Sequence, residues 1–391
     1  MMPRMFVMVG DGPAGFHAAK AIRESDEAAD ILMITQEDML PYNRPMLTKA
    51  LEQSLPESRL LIKNKEWYQQ SRVEVDTGLR VTRIDCDNRL VYLDDGSQVS
   101  YDKLIYALGA RNHRPPIEGA ELPHVFSIRS IADAEALRQS LPGVRRAVII
   151  GGGVLGLEAA WSLHRAQIDV HIVEFLPRLM ARQLDEMASI KLQAHIEGFG
   201  IGLHCGASTR RITQDSVVLA DGTSLPADLV IISAGVKPNA ELARDAGLAV
   251  DSGVLVNARL QTSDPDIYAA GDCVQIPGVL SGIWAQAVRM GECAGRNAAG
   301  DGQDFQAKTS AMTLQAFDTS VFAIGDNGYE QGQTYETLRL EGAQGKMETL
   351  YFKDGRLVGV IVLGDLKRIG FYTKAVEEGR SETSLRQELQ A

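Results

Sequence analysis

The chain has 391 residues, a length that predicts roughly two to four domains of ordinary size. Its 40 basic and 51 acidic residues give a formal net charge of −11, and such an acidic chain is not expected to bind nucleic acid. The four cysteines lie far apart without a CxxC pair, so neither a disulfide scaffold nor a cysteine-based metal site is expected.

The first predicted element is a short buried strand over residues 6–9, within an apolar run that starts at Met5. This start lacks the basic segment, long apolar core and cleavage site of a signal peptide. No stretch of the chain approaches the about 18 apolar residues of a membrane-spanning helix. We therefore expect a cytoplasmic protein that does not contact a membrane.

A glycine-rich loop, GDGPAG at residues 10–15, joins this strand to a helical pattern at 16–23. Glycines at such a turn let a dinucleotide pyrophosphate approach the helix N-terminus, where free N–H groups favour anions. Glu37 follows the next strand, 22 residues after Gly15, where an acid accepts hydrogen bonds from an adenosine ribose. The predicted loop contacts are Gly10, Gly12, Pro13, Ala14 and Gly15.

The same pattern occurs again at residues 151–156, where GGGVLG joins an apolar strand to a helix. The strand after that helix ends at Glu174, and an acid there binds the 2′-hydroxyl of NAD and repels the 2′-phosphate of NADP. We therefore expect a preference for NADH, with Arg178 and Arg182 downstream expected to be solvated or to serve general charge compensation. The predicted loop contacts are Gly151, Gly153, Val154, Leu155 and Gly156. Two such loops predict two dinucleotides, and a flavin with a nicotinamide is the pair that exchanges hydride.

Further motifs carry a family resemblance. They are LPYNRPMLTK at 40–49, YALGA at 106–110, AGVKPN at 234–239 and TSDPDIYAAGD at 262–272. Together with the two loops, they resemble the FAD-dependent pyridine-nucleotide-disulfide oxidoreductase superfamily, in its NADH:rubredoxin reductase and ferredoxin-reductase-like branch. The resemblance is strong from residue 5 to near 300 and weak after that.

This resemblance implies an α/β fold with two Rossmann-like dinucleotide-binding domains, each a three-layer ββα arrangement, and a smaller α+β C-terminal domain. The implied FAD-binding domain comprises residues 1–115 and 243–305, with the NADH-binding domain inserted at 116–242. Residues 306–391 would form an interface or docking domain. In that part we predict strands near 319–324, 335–340, 346–352 and 357–363, and a helix near 366–378.

The resemblance also implies roles for individual residues at matching positions. Besides the first loop and Glu37, the residues expected to contact FAD are Arg44, Pro45, Lys49, Val81, Ala107, Gly109, Asp272 and Trp284. Gly235 would border the nicotinamide. Lys49 would meet Glu158 near flavin N5 as the catalytic pair, because a positive charge there favours the anionic reduced flavin. The alternative is that Lys49 and Glu158 are ordinary helix-surface residues.

Cysteine is absent from residues 36–60, the stretch where disulfide reductases and peroxidases of the superfamily carry one or two. Cys86 and Cys273 are expected to pack as structural residues. We therefore expect an enzyme that transfers hydride from NADH to FAD and then passes electrons singly to a small redox protein, rubredoxin being the first choice. Ferredoxin or flavorubredoxin reductase activity, an NADH oxidase and an NADH-sensing flavoprotein remain alternatives, and a homodimer is consistent with each.

Overall fold

The structure is a computed structural model that describes residues 3–276, 282–328 and 333–390. The chain divides into two compact units. Unit 1 comprises Met1–Met46, Leu55–Arg111 and Val236–Ala307, and unit 2 comprises Leu47–Ser54, Asn112–Gly235 and Lys308–Ala391. The three-domain division expected from the sequence stays a prediction, and its ranges include residues 277–281 and 329–332, which lie outside the described part of the chain.

The α-helices of the described residues are numbered in chain order. They are α1 (Pro13–Ser25), α2 (Glu57–Leu60), α3 (Lys65–Ser71), α4 (Ile131–Ser140), α5 (Val154–Arg165), α6 (Glu186–Glu197), α7 (Glu241–Asp245), α8 (Trp284–Ala299), α9 (Ile369–Glu378) and α10 (Glu382–Gln390). Short 3-10 helices lie at Arg44–Met46, Lys49–Leu51 and Ala343–Gly345.

The strands are numbered in the same way. They are β1 (Met5–Val9), β2 (Asp30–Ile34), β3 (Val73–Asp76), β4 (Val81–Asp85), β5 (Leu90–Leu93), β6 (Gln98–Ser100), β7 (Lys103–Tyr106), β8 (Ala110–Asn112), β9 (Val125–Phe126), β10 (Arg146–Ile150), β11 (Asp169–Glu174), β12 (Gly202–Cys205), β13 (Thr209–Ile212), β14 (Ser216–Leu219), β15 (Ser224–Pro226), β16 (Leu229–Ile232), β17 (Val236–Pro238), β18 (Val254–Leu255), β19 (Ile267–Ala269), β20 (Val274–Gln275), β21 (Ala311–Ala316), β22 (Thr319–Gly325), β23 (Glu336–Glu341), β24 (Met347–Lys353) and β25 (Arg356–Leu363).

Unit 1 is built on a five-stranded parallel sheet in the order β19-β7-β1-β2-β3. Its central strands are continuous apolar runs because helices or other layers cover both faces of such a sheet, and Phe6–Val9 of β1 is fully buried. A three-stranded antiparallel sheet, β4-β5-β6, lies in the same unit. Its β5–β6 turn at 94–96 is the hairpin turn that the DDG sequence indicates.

Unit 2 contains a second parallel sheet of the same kind, in the order β12-β11-β10-β16-β9. A second three-stranded antiparallel sheet, β13-β14-β15, accompanies it. Each parallel sheet with its helices and its antiparallel sheet forms the three-layer arrangement expected from the sequence. The predicted pair of Rossmann-like folds is thereby confirmed.

The C-terminal part of unit 2 is a five-stranded antiparallel sheet in the order β21-β22-β25-β24-β23. One face of the sheet packs against α9, whose Tyr372 and Ala375 are fully buried. The four strands and the helix predicted here are confirmed within a few residues. The sequence reading missed β21 and α10. Among the described residues, no helix combines the length and the apolar character that crossing a membrane requires.

Candidate dinucleotide sites

The three glycines of the first loop differ in the space around them. Gly10 has a φ of +105°, and a Cβ there would lie 2.4 Å from the carbonyl oxygen of Ala107. A Cβ on Gly15 would lie 2.0 Å from the carbonyl oxygen of Gly10, because α1 packs closely on the loop. Gly12 faces open space, with no atom within 4 Å of a Cβ built on it. The loop therefore leaves room for a phosphate at Gly12, directly before the N-terminus of α1.

Glu37 lies after β2 with both carboxylate oxygens engaged. Its Oε1 accepts a hydrogen bond from Nη2 of Arg44 at 2.6 Å, and its Oε2 accepts one from the Tyr42 hydroxyl at 2.7 Å. The Arg44 guanidinium also lies over the Tyr42 ring, 5.2 Å from its centroid. The structure thus brings Glu37 and Arg44, two of the predicted FAD contacts, into one ion pair.

The other residues predicted to contact FAD occupy several elements. Ala107 is buried beside Gly10, and its N–H donates to the carbonyl of Val9 at 2.9 Å. Asp272 accepts a hydrogen bond from the N–H of Gly282 at 2.9 Å. The remaining positions are a positive-φ turn at Gly109, an exposed residue at Pro45, the start of β4 at Val81 and the start of α8 at Trp284. Of these residues, Ala107 lies directly against the loop, and the FAD roles of all of them stay predictions.

The second loop repeats the geometry of the first. Gly151 has a φ of +121°, and a Cβ on it would lie 2.2 Å from the carbonyl oxygen of Ser233. A Cβ on Gly156 would lie 2.1 Å from the carbonyl oxygen of Gly151, whereas Gly153 faces open space. Gly235, predicted to border the nicotinamide, has a φ of +91° and also faces open space. Both loops therefore meet the steric requirements of a dinucleotide site.

Glu174 differs from Glu37 in what holds its carboxylate. Its Oε2 accepts the N–H of Gly152 at 2.6 Å, and its Oε1 accepts the N–H of Leu176 at 2.7 Å. Both donors are neutral backbone groups, so no cation offsets the carboxylate through these two bonds. This arrangement supports the predicted preference for a free 2′-hydroxyl over a 2′-phosphate.

Two arginines and two apolar residues complete the neighbourhood of the second loop. Nη2 of Arg178 donates to the carbonyl oxygens of Ala181 and Leu184 at 3.2 and 3.3 Å, so this half-buried side chain is not fully solvated. Arg182 is exposed, as expected. Val154 and Leu155 form the first turn of α5, and Leu155 is exposed.

The predicted Lys49–Glu158 pair appears in a different form. Glu158, half-buried on α5, accepts a hydrogen bond from the Thr48 hydroxyl at 2.9 Å. No ion pair within 4.0 Å joins the exposed Lys49 to Glu158 among the described residues. Burial raises the pKa of Glu158, while the Thr48 hydrogen bond and the charge of Lys49 oppose that rise. Lys49 thus acts on Glu158 through space, and Thr48 is the direct partner that the sequence reading missed.

Other residues of interest were also missed by sequence reasoning. Gln286 on α8 is buried, and its Nε2 has no hydrogen-bond partner among the described residues. Gly291 and Gly295, four residues apart on α8, lie against the backbone of α1, where a Cβ would come 2.2 and 2.4 Å from the carbonyl oxygens of Ala14 and Ala18. Their GxxxG spacing was the available signal, because glycine at this spacing permits close helix approach.

The cysteines behave as structural residues. All four are free thiols. Burial raises the pKa of Cys273 to about 12 and those of Cys86 and Cys205 to about 11. These thiols are therefore neutral at physiological pH, which disfavours nucleophilic or relay chemistry because the thiolate is the reactive form.

The residues present fit FAD and NADH at the two loops. Each loop offers open space at its second glycine and a helix N-terminus that favours anions. In unit 1, Oδ2 of Asp11 and Nε2 of Gln286 are buried polar atoms without partners among the described residues. A polar ligand would satisfy such atoms, which are otherwise costly to bury.

Comparison with known proteins identifies the family. Residues 5–291 match the family model described as Pyridine nucleotide-disulphide oxidoreductase. The chain belongs to that family. Residues 311–380 match the model described as Rubredoxin NAD+ reductase C-terminal domain. The family consists of NAD(P)H-dependent flavoprotein reductases, so the predicted fold class and the predicted cofactors, FAD and NADH, are those of the family.

Individual relatives agree with this assignment. Rubredoxin-NAD(+) reductase of Pseudomonas putida is 32% identical over 388 residues, which cover 93% of this chain and 97% of the relative. The Assimilatory nitrate reductase electron transfer subunit of Bacillus subtilis is 32% identical over 373 residues, 94% of this chain but 48% of the relative. The chain thus spans about half the length of the nitrate and nitrite reductase relatives that it matches. The crystal structure of Ferredoxin Reductase for the CYP199A2 System from Rhodopseudomonas palustris superimposes with a TM-score of 0.89 at 29% identity, covering 97% of this chain and 95% of that one.

Proposed function

We propose that the protein is an FAD-dependent oxidoreductase that takes hydride from NADH and passes electrons singly to a small electron-carrier protein. The observation that carries the proposal is the pair of glycine loops, each of which leaves open space at its second glycine. The first loop would hold FAD and the second NADH. The proposed cytoplasmic setting rests on NADH as the electron donor.

Rubredoxin is the carrier that we propose first. The match of residues 311–380 to the rubredoxin reductase C-terminal domain supports it, as does the nearly full-length similarity to the P. putida protein. Ferredoxin is the second candidate, because the R. palustris ferredoxin reductase resembles almost the whole chain. A homodimer is part of the proposal, and sedimentation analysis tests it.

The residues of the chain act here by binding and by electrostatics. FAD, when bound, supplies the hydride acceptor and the means of releasing electrons one at a time. The backbone of Gly10–Gly15 would hold the FAD pyrophosphate, and Glu174 would receive the NADH ribose. Lys49 would place a positive charge beside the flavin, with Glu158 held near it by Thr48. No side chain needs to donate or accept a proton for hydride transfer, so alignment of the two rings is the main task of the protein.

Anaerobic stopped-flow measurement tests the proposal. The NADH-reduced protein is mixed with oxidised rubredoxin, with oxidised ferredoxin or with air-saturated buffer, and reoxidation of the flavin is followed by absorbance. We expect fast reoxidation with rubredoxin and slow reoxidation with oxygen. Equal rates with oxygen alone would support an NADH oxidase instead. A long-lived reduced protein that reacts with none of them would support an NADH-sensing flavoprotein.

A further inference from the structure

Asp11 is a buried acid inside the first glycine loop. It stands between Gly10 and Gly12, and only 4% of its surface is exposed. Its Oδ2 is buried and has no hydrogen-bond partner among the described residues. A charged carboxylate in this condition is costly, because burial removes its hydration without full replacement.

The groups around Asp11 offset its charge only in part. The Thr35 hydroxyl after β2 and the Arg44 guanidinium favour the carboxylate, whereas the negative charge of Glu37 opposes it. Arg44 is at the same time bound to Glu37 at 2.6 Å, so one cation serves two acids. Burial is the strongest influence, and the net effect raises the pKa of Asp11 to about 6.

Tyr68 on α3 lies near enough to Asp11 for the charge of that acid to act on its hydroxyl. Its hydroxyl is also buried without a hydrogen-bond partner among the described residues. Burial and then the charge of Asp11 raise the pKa of Tyr68, so this phenol stays neutral. Arg44, Glu37, the Thr35 hydroxyl and the neutral Tyr68 hydroxyl are therefore the groups that act on Asp11, and burial leaves this acid easily neutralised by a proton.

A pyrophosphate would add negative charge beside this acid. The open space at Gly12 adjoins Asp11 in the chain, and the proposed FAD site places the pyrophosphate there. We infer that binding of FAD to the first loop is coupled to the uptake of one proton from solvent by the Asp11 carboxylate. The proton turns the carboxylate into a neutral carboxyl group whose O–H is a hydrogen-bond donor, and no other bond changes. This inference rests on the proposed function, because it needs FAD at that loop.

Proton uptake has a defined sign. A like charge nearby disfavours the ionised acid, so bound FAD raises the pKa of Asp11 above its value of about 6 in the free protein. At pH values between the pKa of Asp11 in the free protein and its higher pKa in the FAD-bound protein, FAD binds more tightly as the pH falls. For one proton, the affinity changes by at most about tenfold per pH unit. The amide of Asp11→Asn imitates the protonated acid and cannot titrate.

The test measures FAD retention as a function of pH. The holoprotein is diluted at pH values from 6 to 8.5, and released FAD is followed by its fluorescence. We expect wild type to lose FAD increasingly with rising pH, by up to about tenfold in apparent Kd per pH unit. Asp11→Asn should retain FAD equally across this range and release less than wild type at pH 8.5. The control Asp30→Asn, an exposed acid at the start of β2, should behave as wild type.

Several outcomes would overturn the inference. One is a flat pH profile for wild type, and another is an unchanged slope in Asp11→Asn. If Asp11→Asn fails to fold, calorimetry on the wild type decides: FAD binding at pH 7 in buffers of different ionisation enthalpy reports proton uptake, and zero uptake contradicts the inference. A wild-type protein that binds no FAD would instead contradict the proposed function, so the two failures are distinguishable.

Discussion

Glu37 after β2 and Glu174 at the end of β11 occupy similar places in the two parallel sheets, but their carboxylates have different partners. Glu37 is paired with the cation of Arg44, whereas Glu174 is held by two backbone N–H groups. No cation is bonded to Glu174 through these two contacts, and charge is what separates NADH from NADPH at such a site. The identity of each acid was predictable from its distance to its glycine loop. The groups that bond each carboxylate were not predictable, because it is the folding of the local chain that brings Arg44 to Glu37 and the N–H of Leu176 to Glu174.

Replacement of Glu174 by arginine tests its role in coenzyme choice. Glu174→Arg turns repulsion of a 2′-phosphate into attraction, and we expect the ratio of kcat/KM for NADPH to that for NADH to rise at least about tenfold, equivalent to ~1.4 kcal/mol. Steady-state kinetics with both coenzymes measures this ratio. Glu197→Arg makes the same charge change at the exposed end of α6 and serves as the control. An unchanged ratio in Glu174→Arg would contradict the assignment.

Asp11 also makes a prediction about stability in the absence of FAD. Its folded-state pKa of about 6 lies above the ordinary value of 3.8, so the carboxylate destabilises the fold above pH 6, and this cost disappears as the pH falls toward 3.8. We expect Asp11→Asn to raise the free energy of unfolding at pH 8 by about 1–3 kcal/mol and to have no such effect near pH 4. Urea denaturation of the FAD-free chain at several pH values measures this. If Asp11→Asn lowered the free energy of unfolding by the same amount at every pH, this prediction would be wrong.

At the scale of elements, the contact between α1 and α8 helps to position the first glycine loop. Gly291 and Gly295 let the two helix backbones meet closely, and α1 begins in the loop itself. The glycine loops were recognisable because their function is local in sequence. The glycines of α8 were not recognised because their need depends on α1, a partner more than 250 residues away. Similarly, β21 was missed because half of its side chains are exposed, and α10 because Leu385 is its one fully buried side chain among the described residues.

The close helix contact predicts a loss of stability and of FAD when it is widened. In Gly291→Ala, the new Cβ would lie 2.2 Å from the carbonyl oxygen of Ala14, so the helices must separate. We expect a cost of about 1–3 kcal/mol in the free energy of unfolding and weaker FAD retention. Gly370→Ala is the matched control, because Gly370 lies in α9 with open space around it. Thermal unfolding and FAD fluorescence measure both effects, and equal behaviour of the two variants would contradict this explanation.

A second element-scale contact joins α5 to the segment Leu47–Ser54. Glu158, Ser162 and Arg165 lie along one face of α5 and bond Thr48 or Glu52 of that segment. The sequence predicted an interaction with Glu158, but it named Lys49 where the direct partner is Thr48. Neighbouring residues point in different directions, and the sequence alone does not say which of them is buried.

Lys49 is predicted to act through its charge. Lys49→Ala removes a cation that would favour the anionic reduced flavin, so we expect a lower flavin potential or slower reduction by NADH. Spectroelectrochemistry and stopped-flow absorbance measure these two quantities. Lys374→Ala removes a cation from the exposed surface of α9 and should change neither. Wild-type values for both quantities in Lys49→Ala would remove Lys49 from the proposed site.

At the scale of the whole molecule, the glycine loops predict which flavin the purified protein contains. We expect the purified protein to be yellow and to release FAD, and not FMN, on denaturation, because the first loop needs a pyrophosphate to fill it. Absorbance and chromatography of the released flavin measure this. A colourless protein that does not take up added FAD would contradict the central proposal.

The chain alternates repeatedly between the two units, and this has a consequence for the newly made polypeptide. In unit 1, β7 pairs with β19, although the two strands are separated by 160 residues of sequence. While a ribosome adds those residues at about 5–20 per second, β7 waits roughly ten to thirty seconds without this partner. An unpaired strand edge is a template for aggregation. The nascent chain is therefore most exposed to misassembly while unit 2 is being made, and slower translation of residues 107–266 would lengthen that period.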